Sequence, residues 1–153
     1  MQSAVAGRTG PRWILRGRAA ALWVAMTAIA APAVAEDLPE IVALEMAGGP
    51  ERLRLSVSVS ETVPFHVELP RGSRRLRIDL PPVSATPDLC GALAASPHIA
   101  ACAAGRLIFG YYRIAVTLSF CGVVDQAVME AAMAGLPARL HVDIAGTPLA
   151  RCE

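Results

Sequence analysis

ERLRLSVSVSETVPFHVELPRGSRRLRIDLPP, residues 51–82, alternates apolar and polar side chains almost throughout. Leu53, Leu55, Val57 and Val59 are interleaved with Arg52, Arg54, Ser56, Ser58 and Ser60. A period of two turns the aliphatics to one face and the polar groups to the other, the pattern of a half-buried strand. Val63, Phe65, Val67 and Leu69 repeat it with His66 and Glu68 outward, and Pro70-Arg71-Gly72-Ser73 makes a turn. Leu76, Ile78 and Leu80 then alternate with Arg75, Arg77 and Asp79 until Pro81-Pro82, which lack the backbone donors a ladder needs. The stretch predicts three strands.

Upstream, Ile41, Val42, Leu44 and Met46 predict an edge strand that ends at Gly48-Gly49-Pro50. Downstream, residues 83–104, with Pro87, Cys90, Gly91, Pro97 and Cys102, read as a connecting loop with room for a helical turn around Leu93. The alternation then returns. Ile114, Val116, Leu118 and Phe120 are set against Arg113, Ala115, Thr117 and Ser119. Val124–Glu130 reads as a further strand, although its alanine also permits helix. Leu140, Val142 and Ile144 alternate with Arg139, His141 and Asp143.

The two halves resemble each other. Arg52 falls on Arg113, Arg75 on Arg139 and Asp79 on Asp143, with Ala134-Gly135-Leu136 as the extra residues of the second copy. Two such units, each with one apolar face, bury both by packing face to face. The expected fold is all-β: two small pseudo-symmetric antiparallel sheets in a sandwich. Within each R-x-x-x-D pair the residues lie about 13 Å apart at ~3.3 Å per residue, so they cannot bridge each other. Each needs a cross-strand partner, and Arg52 or Arg54 opposite Asp79 is the expected arrangement. A solvated pair of this kind fixes register and is worth under ~1 kcal/mol.

Residues 1–35 have the layout of a secretory signal peptide. Arg8, Arg12, Arg16 and Arg18 lead, Ala19–Ala31 is apolar, and Ala33-Val34-Ala35 offers a small-residue cleavage site before Glu36. As a retained anchor the apolar run is shorter than the ~20 residues that span a bilayer, and Pro32 interrupts it. Gly17 separates Arg16 from Arg18, so there is no twin-arginine pair, and no cysteine is near the site to carry a lipid. The expectation is cleavage after Ala35, leaving residues 36–153 as one periplasmic domain without a stable membrane anchor. Losing the four leader arginines leaves ten basic residues against thirteen acidic ones, a net charge of −3. Nucleic-acid binders are strongly basic, so that class is disfavoured.

Cys90, Cys102, Cys121 and Cys152 all lie beyond the leader. An even number in an exported chain suggests two disulfides, and local pairing gives 90–102 and 121–152, although spacing does not fix connectivity. Zinc is the competing reading, but no two cysteines stand at the close spacing of a structural site.

The R-h-x-h strand, the V-x-F-x-V strand, R-L-x-I-D-L-P and, in the second half, G-R-L-I-F-G-Y-Y-R-I-A-V-T-L resemble the AMIN domain over residues 40–147. That module stands at the N-terminus of exported bacterial N-acetylmuramoyl-L-alanine amidases and in some type IV pilus secretins. The resemblance implies a sandwich with a first half at 40–82, a connector at 83–104 and a second half at 105–147. It also implies binding to peptidoglycan and placement of a host at the division site. The cysteine-bearing connector and the short segment from Arg106 to Arg113 depart from the family pattern.

The amidases of this family hydrolyse their substrate with zinc on a separate domain, for which six residues after Thr147 leave no room. His66, His98 and His141 form no H-E-x-x-H pattern, no serine stands in G-x-S-x-G, and no glycine motif cradles phosphate. The expectation is therefore no catalysis, no cofactor and no metal. Binding positions are the outward arginines Arg52, Arg54, Arg75, Arg77 and Arg113, with Tyr111 or Tyr112. Neighbouring strand residues point to opposite faces, so at most one tyrosine belongs to the core. The other either stacks on a sugar ring or covers the sandwich edge. Three functions follow: a peptidoglycan-binding and localisation module; an adaptor that docks an amidase, division protein or secretin by strand addition; or the remnant of a longer amidase.

Overall fold

The computed structural model describes residues 37–147. The leader, its cleavage site and Cys152 lie outside the described residues. The chain forms β1 (Glu40–Gly48), β2 (Arg52–Val59), β3 (His66–Glu68), β4 (Arg75–Leu80), β5 (Ser84–Ala85), α1 (Gly91–Ala94), β6 (Ile99–Arg106), β7 (Tyr112–Leu118), β8 (Gly122–Glu130) and β9 (Ala138–Gly146). A single 3-10 turn at Ile108–Gly110 joins β6 to β7.

Strand order is β5-β1-β2-β9-β8 in the first sheet and β3-β4-β7-β6 in the second. All pairings are antiparallel except the two-residue parallel contact of β5 with β1. The fold is all-β and two-sheeted, as alternation predicts. Leu53, Leu55, Val57, Leu140, Val142 and Ile144 of one sheet share a buried core with Leu76, Ile78, Leu80, Ile114 and Val116 of the other. Among the described residues, every buried core residue lies between Ile41 and Ile144.

The halves do not each build a sheet. Each contributes one hairpin to each: β1-β2 joins β8-β9, and β3-β4 joins β6-β7. The second strand of each half pairs with the last strand of the other, β2 with β9 and β7 with β4. Arg54 therefore stands opposite Asp143 and Arg113 opposite Asp79. Arg54, not Arg52, is the counterpart of Arg113. The matched strings are RLSVSVS and RIAVTLS, set 59 residues apart. The expected pairing of Arg52 or Arg54 with Asp79 is corrected accordingly.

Three boundaries differ from expectation. The 83–104 connector contains the start of β6, a strand of alanines and glycine without β-branched residues after Ile99. β3 has three residues because Pro64 and Pro70 flank it, though Phe65, Val67 and Leu69 still pack on the core. β1 carries a bulge between Ile41 and Ala43, so Ile41 and Leu44, three apart, both face inward. At its end Gly48 has φ 98°, and a Cβ there would collide with the carbonyl oxygen of Arg52, so this turn requires glycine.

Candidate functional site

β4 and β7 are the inner strands of the second sheet, and their alternation is strict. Leu76, Ile78, Leu80, Ile114 and Val116 are buried, which leaves Arg75, Arg77, Asp79, Arg113, Ala115 and Thr117 on the outer face. Register sets these in rows: Glu68-Arg77-Ala115-Ala103, His66-Asp79-Arg113-Gly105, and Arg75-Thr117-Ala101. The β6 side is flat, because its outward residues are alanine and glycine. Arg113 Nε and Nη2 donate to Asp79 Oδ1 and Oδ2 at 2.6 and 2.7 Å. This two-point bond fixes the guanidinium plane, and it holds the Asp79 carboxyl below its ordinary pKa while raising that of Arg113. Arg77 Nη1 lies 3.4 Å from Glu68 Oε2, and Arg75 has no ion-pair partner among the described residues. Tyr111, the residue between the 3-10 turn and β7, is 53% exposed.

The first sheet repeats the device. Arg54 Nε and Nη2 donate to Asp143 Oδ1 and Oδ2 at 2.6 and 2.7 Å, and the hydrogen bond lowers the Asp143 pKa. Arg52 stands opposite Ala145 without an ion pair among the described residues. Between them and the β2 end, Ser56 Oγ meets His141 Nδ1 at 2.9 Å, and Glu130 Oε2 lies 3.4 Å from His141 Nε2. The trio has the residue types of a nucleophilic triad. However, β2 and β9 are paired on both sides, so their backbone N–H groups are spent in the ladder and none is left for an oxyanion. Arg52, Arg54 and Arg139 share this face with Glu45, Asp125, Glu130 and Asp143, whereas the second sheet sets three arginines against Glu68 and Asp79.

The predicted residues are thus divided. Arg75, Arg77 and Arg113 come together on the outer face of the second sheet, and Tyr111 stands at the turn that leads into β7. Arg52 and Arg54 lie on the opposite side of the sandwich, and Tyr112, 8% exposed, is part of the core. Alternation identifies outward residues but not the sheet to which a strand goes. The carboxylates Asp79 and Asp143, which orient the two arginines, stand out once RLSVSVS is laid on RIAVTLS.

The two lateral openings between the sheets also differ. On one side α1 lies against β1 and β6 with Leu89 and Leu93 buried, and the Cys90–Cys102 disulfide ties this connector to β6. That bond matches the local pairing expected. Cys121 is buried and disulfide-bonded, and its expected partner Cys152 lies outside the described residues. On the other side, the edges of β3 and β8 leave a cleft of about 800 Å³ lined by Val67, Glu68, Leu69, Arg71, Val123, Val124 and Thr147. Among the described residues no group of three or more histidine, cysteine, aspartate or glutamate side chains is placed to hold a metal ion, and no helix is long and apolar enough to cross a membrane. No protein-family model and no curated protein matches the chain.

Proposed function

We propose that this protein is a non-catalytic module of the AMIN type that binds peptidoglycan in the periplasm and localises there. The observation that supports this most is the outer face of the second sheet. It offers three arginines, one of them held flat by Asp79, beside a level strip of alanine and glycine and the exposed ring of Tyr111. A glycan strand is an extended ligand with planar hydroxyl arrays and stem-peptide carboxylates. A flat strip admits its rings, tyrosine stacks on one, and guanidinium groups take carboxylates two-point. With a net charge of −3 beyond the leader, directed bonds rather than overall attraction must hold the ligand.

Sedimentation of residues 36–153 with purified, protein-free sacculi tests this. The parent should pellet. Arg75→Gln/Arg77→Gln should weaken binding by about tenfold or more, the loss of one or two hydrogen bonds to a charged group. Arg52→Gln/Arg54→Gln, on the opposite face, should pellet like the parent. If the first pair pellets unchanged with its circular dichroism intact, that face is not the site. A second reading, an envelope adaptor that docks an amidase, division protein or secretin, is favoured by the open cleft between β3 and β8, where a partner strand has two edges to join. It predicts no pelleting until a protein partner is supplied.

A further inference from the structure

The hairpin tips of the two halves differ in kind. The first half's tips, Gly48–Glu51 and Leu69–Arg74, carry glycine, proline, Glu51, Arg71 and Arg74. The second half's tips, Leu107–Tyr111 and Ala131–Pro137, contain no charged residue. Ile108 is 82% exposed, Phe109 91%, Met133 70% and Leu136 64%.

Both apolar tips stand at one end of the sandwich. β4 ends at Leu80 opposite Tyr112, beside the first tip. Four residues later Ser84 pairs with Glu40, whose carbonyl accepts from Ser60 N, and Thr62 Oγ1 accepts from the backbone N–H of Ala132 in the second tip. Leu38, also exposed, is at this end, where the described chain begins.

We propose that these two tips insert reversibly into a lipid bilayer surface. They are convex and lie on separate hairpins, so they fit a fluid medium that closes around each side chain. Each tip bonds two of its backbone N–H groups within itself: Leu107 N to Tyr111 O at 2.6 Å and Gly110 N to Leu107 O at 3.2 Å in the first, and Met133 and Leu136 to each other at 3.2 and 2.9 Å in the second. Each such bond lowers the cost of taking that backbone out of water. Arg106 and Tyr111 bracket the first tip, residue types that settle at the headgroup level. Phe109 is held at φ 71°, which phenylalanine rarely adopts, yet its exposed ring gains no packing from it within the chain. This inference uses none of the arginines of the glycan-binding face; Tyr111 alone is common to both.

Both tryptophans, Trp13 and Trp23, lie in the leader, so Phe109→Trp gives residues 36–153 a single indole at the tip. On titration with phosphatidylcholine vesicles, with and without phosphatidylglycerol, its emission should shift to the blue and be quenched by brominated acyl chains. Adding Ile108→Ser, or Met133→Ser/Leu136→Ser, should lower the partition about tenfold by removing buried apolar area. Emission unaffected by vesicles overturns the proposal. So does a blue shift that follows protein concentration without lipid, which marks self-association. A shift that brominated chains do not quench, or that Ile108→Ser leaves intact, places binding elsewhere and overturns it equally.

Discussion

Arg113 with Asp79, and Arg54 with Asp143, are the most directed polar contacts on the two faces, and their effect on stability has a definite sign. Each carboxyl is held below its ordinary pKa, first by the hydrogen bond from its arginine. A group lowered in the folded state contributes stability that is complete above its unfolded pKa and disappears as pH falls through the folded one. Stability to urea should therefore decline below about pH 4, where carboxyls of unfolded chains begin to protonate. Asp79→Asn/Asp143→Asn should be less stable at pH 7 and show a shallower decline between pH 4 and pH 2; equal slopes in the two proteins would remove the pairs from the account. Phe109 carries the opposite expectation. Glycine accepts φ 71° without the steric penalty of a Cβ, so Phe109→Gly should raise stability by about 0.5–1 kcal/mol, after allowing for its freer unfolded chain. A lower urea midpoint in Phe109→Gly would show that the ring packs on the fold after all.

Among the elements, the inner strands carry the core. Leu55 on β2 is 1% exposed and faces Val142 on β9 across the ladder. Leu55→Ala should cost ~2–5 kcal/mol, read from the urea midpoint, and reduce any binding only through unfolding. The connector is stapled, not paired. Closing the 12-residue separation between Cys90 and Cys102 is worth ~3 kcal/mol through the unfolded state, so Cys90→Ser/Cys102→Ser should lose about that. Legibility follows the same division. β2, β4, β7 and β9 were readable because strands buried on one face and paired on both edges keep a strict period of two. β6 was not, because the outward positions of a peripheral strand tolerate alanine and leave no apolar rhythm. The two-residue error in aligning the halves arose from matching Arg52 to Arg113, when both Arg52 and Arg54 satisfy an outward arginine and only the partner strand separates them. The binding set was legible as outward residues. Its division between two faces was not, since strand order is a long-range property that alternation does not encode.

At the scale of the whole molecule, the interleaved halves make one cooperative unit. β2 and β4 each lack a neighbour until the second half supplies β9 and β7, and an isolated hairpin is marginal in water. Fragments 36–87 and 88–153 should each be unfolded by circular dichroism and regain β structure when mixed; a cooperative melt from either alone would mean that the halves are separable. The chain has no lysine and its fourteen permanent cations are all arginines, so these charges do not titrate near neutral pH and their two-point contacts persist there. Strand order has a further effect on timing. Arg54 and Asp143, which face each other across the middle of the first sheet, are 89 residues apart. A chain that emerges N-terminus first from a ribosome or a narrow channel presents β2 long before its neighbour exists, and non-local pairings of this length close slowly. The sheet cannot be completed until the last strand is free. The topology thus leaves a partly emerged chain unpaired along β2, and folding waits for β9.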